Sequence, residues 1–205
     1  PMDRTTVDWH GPFTALVTPF DANGAIDEDG FRRNIDNLVA QGAGGVVANG
    51  CTGEFWAQTT EERKRVLALA VEAAAGRLTV IGGTGAIRTP DVIELTAYAH
   101  EVGCDGVMII PPYFVKPSVE DVIAHYEAVS DAVKFPVMLY NLPSASFNLT
   151  PELVRRLADV DTVVAIKDSS FDFNNFYLTH VLAGDRIRIL IGPSTMFGIA
   201  AMKLG

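Results

Sequence analysis

The sequence of 205 residues is poor in cysteine and in positive charge. Its two cysteines, Cys51 and Cys104, lie far apart and outside any CxxC pair or Cys/His cluster, which excludes a disulfide framework and a zinc site. Lysine and arginine number 16 against 25 aspartates and glutamates, so the formal net charge is −9. This excess of acid argues against nucleic acid and against anionic membrane surfaces as partners, because both call for basic patches. Small molecules are the expected partners.

Long apolar runs are also missing. No stretch approaches the roughly 20 residues of a membrane helix, and residues 1–6 contain no apolar signal-peptide core. We therefore expect a soluble cytoplasmic protein with no membrane partner. Hydrophobic residues make up 48% of the chain, which is enough for one well-buried domain and short for two. We predict an N-terminal extension over residues 1–10 and a single domain over residues 11–205.

Short β-rich runs alternate with helical patterns along the chain. Most of these runs are apolar at both alternating sets of positions, as is typical of parallel strands that are covered on both faces. Helix starts are marked by Thr59 with Glu62, a capping-box pattern, and by Thr150 before Pro151. The predicted strands cover residues 15–18, 45–49, 78–82, 106–110, 137–140, 163–167 and 187–191.

Repeated βα units are compatible with an open doubly wound sheet or with a closed barrel. The residues with chemical potential follow several different strands, which is the barrel pattern, whereas an open sheet concentrates its ligand at one switch point. We therefore predict an α/β fold of the (β/α)8 TIM-barrel class. Because seven strands cannot close an eight-stranded barrel, we expect a chain truncated after the seventh strand and the start of the seventh helix. The eighth βα unit and any C-terminal helices would be missing.

Two successive predicted strands each end in a residue that can do chemistry, Tyr140 and Lys167. Burial disfavours the charged form of lysine, and a neutral amine attacks a ketone or aldehyde to give a Schiff base. The phenol of a tyrosine can both give and take a proton. A lysine in this position can also simply mark the point where a strand meets water. Lys167 alone does not decide between these readings.

The turn Gly50–Glu54 directly follows the predicted strand 45–49. Its glycines allow a tight backbone, and its amide N–H groups together with the Thr52 hydroxyl can bind an anion such as a carboxylate. No Gly-Lys-Ser/Thr sequence follows, so the turn is not a Walker loop. An ordinary strand-to-helix turn can have the same composition.

Four motifs, in their order and spacing, resemble those of the dihydrodipicolinate synthase and N-acetylneuraminate lyase family. They are Gly50-Cys51-Thr52-Gly53-Glu54, Pro111-Pro112-Tyr113-Phe114, Tyr140-Asn141-Leu142-Pro143 and Ile166-Lys167-Asp168. The resemblance runs from about residue 11 to the end of the chain. It implies a class I, Schiff-base-forming aldolase or lyase of pyruvate or another 2-oxo acid. It further implies a TIM barrel that assembles as a homotetramer or homodimer.

The resemblance also implies roles for individual residues. Lys167 would form the imine with the ketone carbon, and Tyr140 would shuttle protons to and from the reacting oxygen. Thr52 and the neighbouring residues Cys51 and Gly53 would hold the carboxylate. The protonated imine is itself an electron sink, so we expect neither a cofactor nor a metal ion.

Three departures from the family pattern concern the second substrate. Cys51 replaces a threonine or serine and is a weaker hydrogen-bond former. Phe114 follows Tyr113 where well-known members have a second tyrosine that reaches across a subunit interface. Ala145, after Ser144, replaces the arginine of a dihydrodipicolinate synthase, which removes a bidentate clamp for a second carboxylate.

The imine half of the site is therefore intact in sequence, and the aldehyde half differs. We predict that the protein cleaves a 2-oxo acid, namely a deoxy sugar acid, to pyruvate and an aldehyde, or forms it from them. Tyr113, Ser144 and Gly192, which follows the seventh strand, are predicted to line the substrate site. One alternative is a 2-oxo-3-deoxy sugar acid dehydratase that uses the same imine. Another is a non-catalytic relative that only binds a 2-oxo acid.

Overall fold

A computed structural model describes residues 1–204. The chain forms two compact units. Within the described residues, the first unit comprises residues 1–8, 85–93 and 109–204, and the second comprises residues 9–84 and 94–108. Within residues 1–204, no helix combines the length and the apolar composition needed to span a bilayer.

The second unit is built on parallel strands that follow one another in sequence order. β1 pairs with β2, β2 with β3, and β3 with β4. These strands are β1 (Phe13–Ala15), β2 (Gly45–Ala48), β3 (Thr79–Gly83) and β4 (Gly106–Ile109), the last ending at the boundary of the unit. Every residue of β2 and β4 is buried, as expected for parallel strands covered on both faces.

The helices of the second unit are α1 (Glu28–Ala40), α2 (Thr60–Ala74) and the greater part of α3 (Thr89–Glu101). The predicted capping box at the start of α2 is confirmed, because the Thr59 and Glu62 side chains each accept from the other residue's backbone N–H. The helix ends at Ala75, whose backbone is left-handed with a φ of 47°. A left-handed residue at this position is a common way for a helix to end.

The first unit contains three further parallel strands, with β5 paired to β6 and β6 to β7. Its elements are β5 (Val137–Asn141), β6 (Val163–Asp168), β7 (Arg188–Ile191), α4 (Val119–Ala132), α5 (Pro151–Leu157), α6 (Phe173–Ala183) and α7 (Ser194–Leu204). The predicted cap at Thr150 before Pro151 is confirmed. The N-terminal residues join this unit, since the Met2 N–H donates to the Asp161 carbonyl and the Arg4 N–H to that of Arg186.

The first strand is the one that differs most from its prediction. It was predicted at residues 15–18 and is observed at Phe13–Ala15. The Leu16 N–H still donates to the Val47 carbonyl at 2.9 Å, after which the chain leaves the sheet. The Thr18 hydroxyl donates to the Gly53 carbonyl, and Pro19 has no N–H group to donate to a ladder.

Candidate active site

Lys167 and Tyr140 lie side by side on adjacent parallel strands. The register of β5 and β6 pairs Tyr140 directly with Lys167, so that both side chains leave the same face of the sheet. The Lys167 Nζ atom is 4.7 Å from the centroid of the Tyr140 ring. Tyr140 is buried and Lys167 half-buried. The amine and the phenol that the sequence analysis selected therefore share one environment, shielded in part from water.

The strand that carries Lys167 ends in a buried carboxylate. Asp168 is fully buried and points to the opposite face from Lys167, as strand alternation requires. One carboxylate oxygen accepts from the Ser170 N–H and the other from the Asn175 side-chain amide, both at 2.7 Å. These bonds hold the start of the β6–α6 loop, and so fix where β6 stops beside Lys167.

Gly192 lies immediately beside the end of β6. Its N–H donates to the Asp168 carbonyl at 2.6 Å, and a Cβ atom at this position would lie 2.0 Å from the Ser169 Oγ atom. Gly192 is thus a place of close backbone approach, one strand away from the amine. Its predicted contact with substrate stays a prediction.

The loop after Tyr140 is held by one buried amide. The Asn141 side chain accepts from the Leu149 N–H at 2.9 Å and donates to the Leu149 carbonyl at 3.2 Å. Asn141 is fully buried, so its amide satisfies two backbone groups that water cannot reach. Ser144 lies exposed in the loop that this pair closes, on the C-terminal side of the strand carrying Tyr140.

Tyr113 is brought to the same loop by backbone pairing. An isolated antiparallel bridge joins Tyr113 to Ser146, two residues beyond Ser144. Tyr113 is half-buried, whereas the next residue, Phe114, has a left-handed backbone with a φ of 70° and a side chain that is 94% exposed. Tyr113 and Ser144 therefore belong to one surface of the first unit, and Phe114 points away into solvent.

The predicted carboxylate-binding residues belong to the second unit. Cys51, Thr52 and Gly53 form a single 3-10 turn directly after β2, and a second such turn follows at Phe55–Ala57. The N–H groups of Gly53 and Glu54 close the first turn. The turn does not use the N–H groups of Cys51 and Thr52 at its start, which is the usual state of the first amides of a helical turn. Thr52 is exposed.

The site residues that sequence reasoning missed are supporting ones. The role of Asn141 in holding the loop was not predicted. Its position gives a signal, because an amide that ends an otherwise apolar strand indicates a buried hydrogen bond. Asp168 carried the same signal. Within residues 1–204, no group of three or more histidine, cysteine, aspartate or glutamate side chains is placed to hold a metal ion.

Comparison with known proteins gives one family for nearly the whole chain. Residues 8–205 match the model of the dihydrodipicolinate synthetase family. The chain is 42% identical over 178 residues to the 4-hydroxy-tetrahydrodipicolinate synthase of Hyphomonas neptunium, covering 86% of this chain and 60% of that protein. It is 41% identical over 183 residues to the enzyme of the same name from Clostridium perfringens, covering 89% and 62%. The chain thus spans about 60% of the length of these relatives.

Comparison with solved structures gives the same family. Dihydrodipicolinate synthase from Aquifex aeolicus matches with a TM-score of 0.91 and 32% identity, over 96% of this chain and 67% of that one. YagE, an E. coli prophage protein of the dihydrodipicolinic acid synthase family solved with pyruvate, matches with a TM-score of 0.93 and 33% identity, over 97% and 68%. The predicted α/β fold of the (β/α)8 TIM-barrel class is confirmed, with seven of the strands present in residues 1–204.

Proposed function

Because the chain belongs to the dihydrodipicolinate synthetase family, we propose that it acts as a class I aldolase or lyase. It would form a Schiff base between Lys167 and a 2-oxo acid such as pyruvate. The observation that carries this proposal is the pairing of Lys167 with Tyr140, with the amine nitrogen 4.7 Å from the ring centroid. Two of the matching structures are described as complexes with pyruvate, which supports the substrate class.

The proposed chemistry needs only the chain's own side chains. The neutral Lys167 amine adds to the ketone carbon, and loss of water gives a protonated imine. Cleavage of the bond between the third and fourth carbons sends its electron pair into that imine as an enamine, and releases the aldehyde. Protonation of the enamine and hydrolysis then return pyruvate and the free amine. The phenol of Tyr140 would carry protons to and from the reacting oxygen.

The carboxylate of the 2-oxo acid would bind at the turn formed by Cys51, Thr52 and Gly53. The amides at the start of this turn and the Thr52 hydroxyl are donors suited to an anion. Cys51 offers a thiol where the family commonly has a hydroxyl. We therefore assign the carboxylate to the Thr52 hydroxyl and backbone amides rather than to the thiol.

For the second substrate we propose a polyhydroxylated aldehyde, so that the cleaved compound is a deoxy sugar acid. The loop beside Tyr113 spans residues 142–148 and contains no lysine or arginine. Ala145 stands where a dihydrodipicolinate synthase is expected to have an arginine, so a second carboxylate would find no bidentate partner in this loop. Ser144 is exposed there and can hydrogen-bond a hydroxyl.

The imine is tested by trapping. Pyruvate and borohydride are expected to leave a reduced adduct on one peptide, the one containing Lys167, when the protein is analysed by peptide mass spectrometry. Lys167→Ala should abolish the adduct. Lys134→Ala is the matched control, because Lys134 is exposed and pairs only weakly with Asp131 and Asp161. Reversible pyruvate binding without any adduct in the wild-type chain would instead identify a binding protein.

The second substrate is tested by product analysis. Pyruvate released from a deoxy sugar acid would support the lyase, and loss of water without fragmentation would support the dehydratase. In the reverse direction, aldehydes with several hydroxyls should react with pyruvate faster than aldehydes that carry a carboxylate. The opposite preference would favour the activity named for the curated relatives, 4-hydroxy-tetrahydrodipicolinate synthase.

We also propose that the chain functions as a homotetramer or homodimer, as the family resemblance implies. The Phe114 side chain is 94% exposed, and it stands where well-known members of the family have a tyrosine that reaches across a subunit interface. Light scattering coupled to size-exclusion chromatography measures the mass directly. A monomer at the concentration of the activity assay, with full activity, would contradict this proposal.

A further inference from the structure

Two side chains outside the four family motifs donate hydrogen bonds to the turn formed by Cys51, Thr52 and Gly53. The Gly53 carbonyl accepts from the Thr18 hydroxyl at 2.8 Å and from the Gln58 amide at 2.7 Å. The same Gln58 nitrogen is 3.2 Å from the Thr18 hydroxyl oxygen. We name Thr18 and Gln58 the Gly53 clamp. One carbonyl thus has both of its lone pairs occupied by side-chain donors, which fixes the direction of the following peptide plane.

The clamp acts between two non-glycine residues with left-handed backbone. Glu54, directly after Gly53, has a φ of 58°, and Asn49, before the turn, has a φ of 55°. Left-handed backbone is unfavourable for residues other than glycine and persists where the surroundings hold it in place. Asn49 is held by its own amide, which donates to the Arg63 carbonyl at 2.8 Å. Glu54 is held through the peptide group that joins it to Gly53, because the clamp donates to the carbonyl of that group.

Gly53 packs closely against the chain that follows β1. A Cβ atom on Gly53 would lie 2.9 Å from the Leu16 carbonyl oxygen and 3.3 Å from the Thr18 Oγ atom. The turn therefore lies directly on the backbone at the end of β1. Thr18 is only 6% exposed and its hydroxyl is engaged with Gly53, so it does not reach a ligand itself. Its influence on a ligand must pass through the turn.

We infer that Thr18 and Gln58 are positioning residues for the carboxylate of the 2-oxo acid. This inference rests on the proposed function, in which Thr52 and the adjacent amides hold that carboxylate. By fixing the Gly53 carbonyl, the clamp sets the direction in which the Thr52 hydroxyl and the first amides of the turn point. A donor set that is already oriented loses less freedom on binding the anion, and so binds it more tightly.

The test uses the conservative pair Thr18→Val and Thr18→Ser. Valine keeps the shape and the β-branch but removes the hydroxyl, whereas serine keeps the hydroxyl. The readout is the pyruvate concentration that gives half of the maximal borohydride-trapped adduct on Lys167. Loss of one buried hydrogen bond to the turn should raise this concentration about tenfold in Thr18→Val, with the maximal adduct little changed. Thr18→Ser should stay within about twofold of the wild type.

Methyl pyruvate separates positioning from general damage, because it offers the same ketone without the carboxylate charge. The wild type and Thr18→Val should trap methyl pyruvate with the same concentration dependence. An equal loss for both ketones in Thr18→Val would mean that the clamp only supports the fold, and would overturn the inference. So would an unchanged half-saturating pyruvate concentration. If Thr18→Val does not fold, Gln58→Leu is measured in the same way and judged by the same outcomes.

The wild-type chain separates this inference from the function on which it rests. No adduct on wild-type Lys167 at any pyruvate concentration would refute the imine chemistry, and the inference with it. A wild-type adduct accompanied by an unchanged Thr18→Val variant would refute the positioning role alone and leave the imine chemistry standing.

Discussion

His125 makes the stability of the first unit sensitive to acid. Its imidazole is only 4% exposed on α4, with Nδ1 2.9 Å from the Thr89 hydroxyl and the ring set edge-on to Tyr126 at 5.3 Å. Within residues 1–204, its buried Nε2 atom has no hydrogen-bond partner. Burial lowers the pKa of His125 from 6.5 to about 4, because the imidazolium would lose its hydration without gaining a partner.

The sign of the effect follows from proton uptake. Since the pKa is lower in the folded state, the unfolded chain binds more protons between the two pKa values, and the free energy of unfolding falls as the pH falls. At pH 7 both forms are largely neutral. At pH 5 the unfolded imidazole is mostly charged and the folded one mostly neutral. With 1.36 kcal/mol per pKa unit, the free energy of unfolding falls by about 2 kcal/mol between pH 7 and pH 5.

Urea unfolding at pH 7 and pH 5, followed by circular dichroism, measures this difference. His125→Gln is the comparison, because glutamine does not titrate and its amide can still hydrogen-bond the Thr89 hydroxyl. The wild type should lose about 2 kcal/mol more than the variant over this interval. Carboxylates with lowered pKa values, such as Glu28 and Asp121, are present in both proteins and cancel in the comparison. The same pH dependence in both proteins would refute the reasoning.

Further predictions concern the loop after Tyr140, the end of β6 and the two cysteines. Asn141→Ala strands two buried backbone groups and should lower the free energy of unfolding by about 2–4 kcal/mol in urea titrations, and a loss below 1 kcal/mol would contradict the role assigned to its amide. Gly192→Ala should slow pyruvate trapping severalfold, because its Cβ atom would lie 2.0 Å from the Ser169 Oγ atom, and Ser169→Ala in the same chain should restore part of the rate, since contacts at 3.0 Å with the Asp168 carbonyl oxygen and the residue 169 Cβ atom remain. Burial raises the pKa of the Cys104 thiol to about 12, so iodoacetamide should modify only the half-buried Cys51 in the native chain, and pyruvate should slow that reaction.

That the two reactive residues are neighbours could be predicted from the strand boundaries, whereas their roles came from the family motifs. Parallel strands of consecutive βα units end at the same edge of a sheet, so a tyrosine and a lysine at the ends of β5 and β6 are expected to be neighbours. The observed pairing of Tyr140 with Lys167 in the β5–β6 register agrees with that expectation. The helix caps at Thr59 and Thr150 were predictable for a different reason, because each depends only on residues within one turn.

The first strand could not be placed as well, because its sequence is ambiguous. Residues 13–18 read Phe-Thr-Ala-Leu-Val-Thr, and any three or four consecutive residues among them would make a plausible strand. Three residues beyond the end of β1, the Thr18 hydroxyl donates to the Gly53 carbonyl, 35 residues further along the chain. A contact of that separation has no local signature.

The same reasoning explains why the support of the carboxylate turn escaped sequence analysis. Threonine before proline at Thr18 is typical of a turn or a strand end, and Gln58 before Thr59 is typical of a helix entrance. Only the fold shows that both donate to one carbonyl, next to a residue with left-handed backbone. The family motifs contain the residues that would contact substrate. The residues that orient them, Thr18 and Gln58, occur in local sequences that are common in proteins and carry no functional signal. Substitutions that spare every motif can therefore still impair the site, and Thr18→Val is the sharpest such case in this chain.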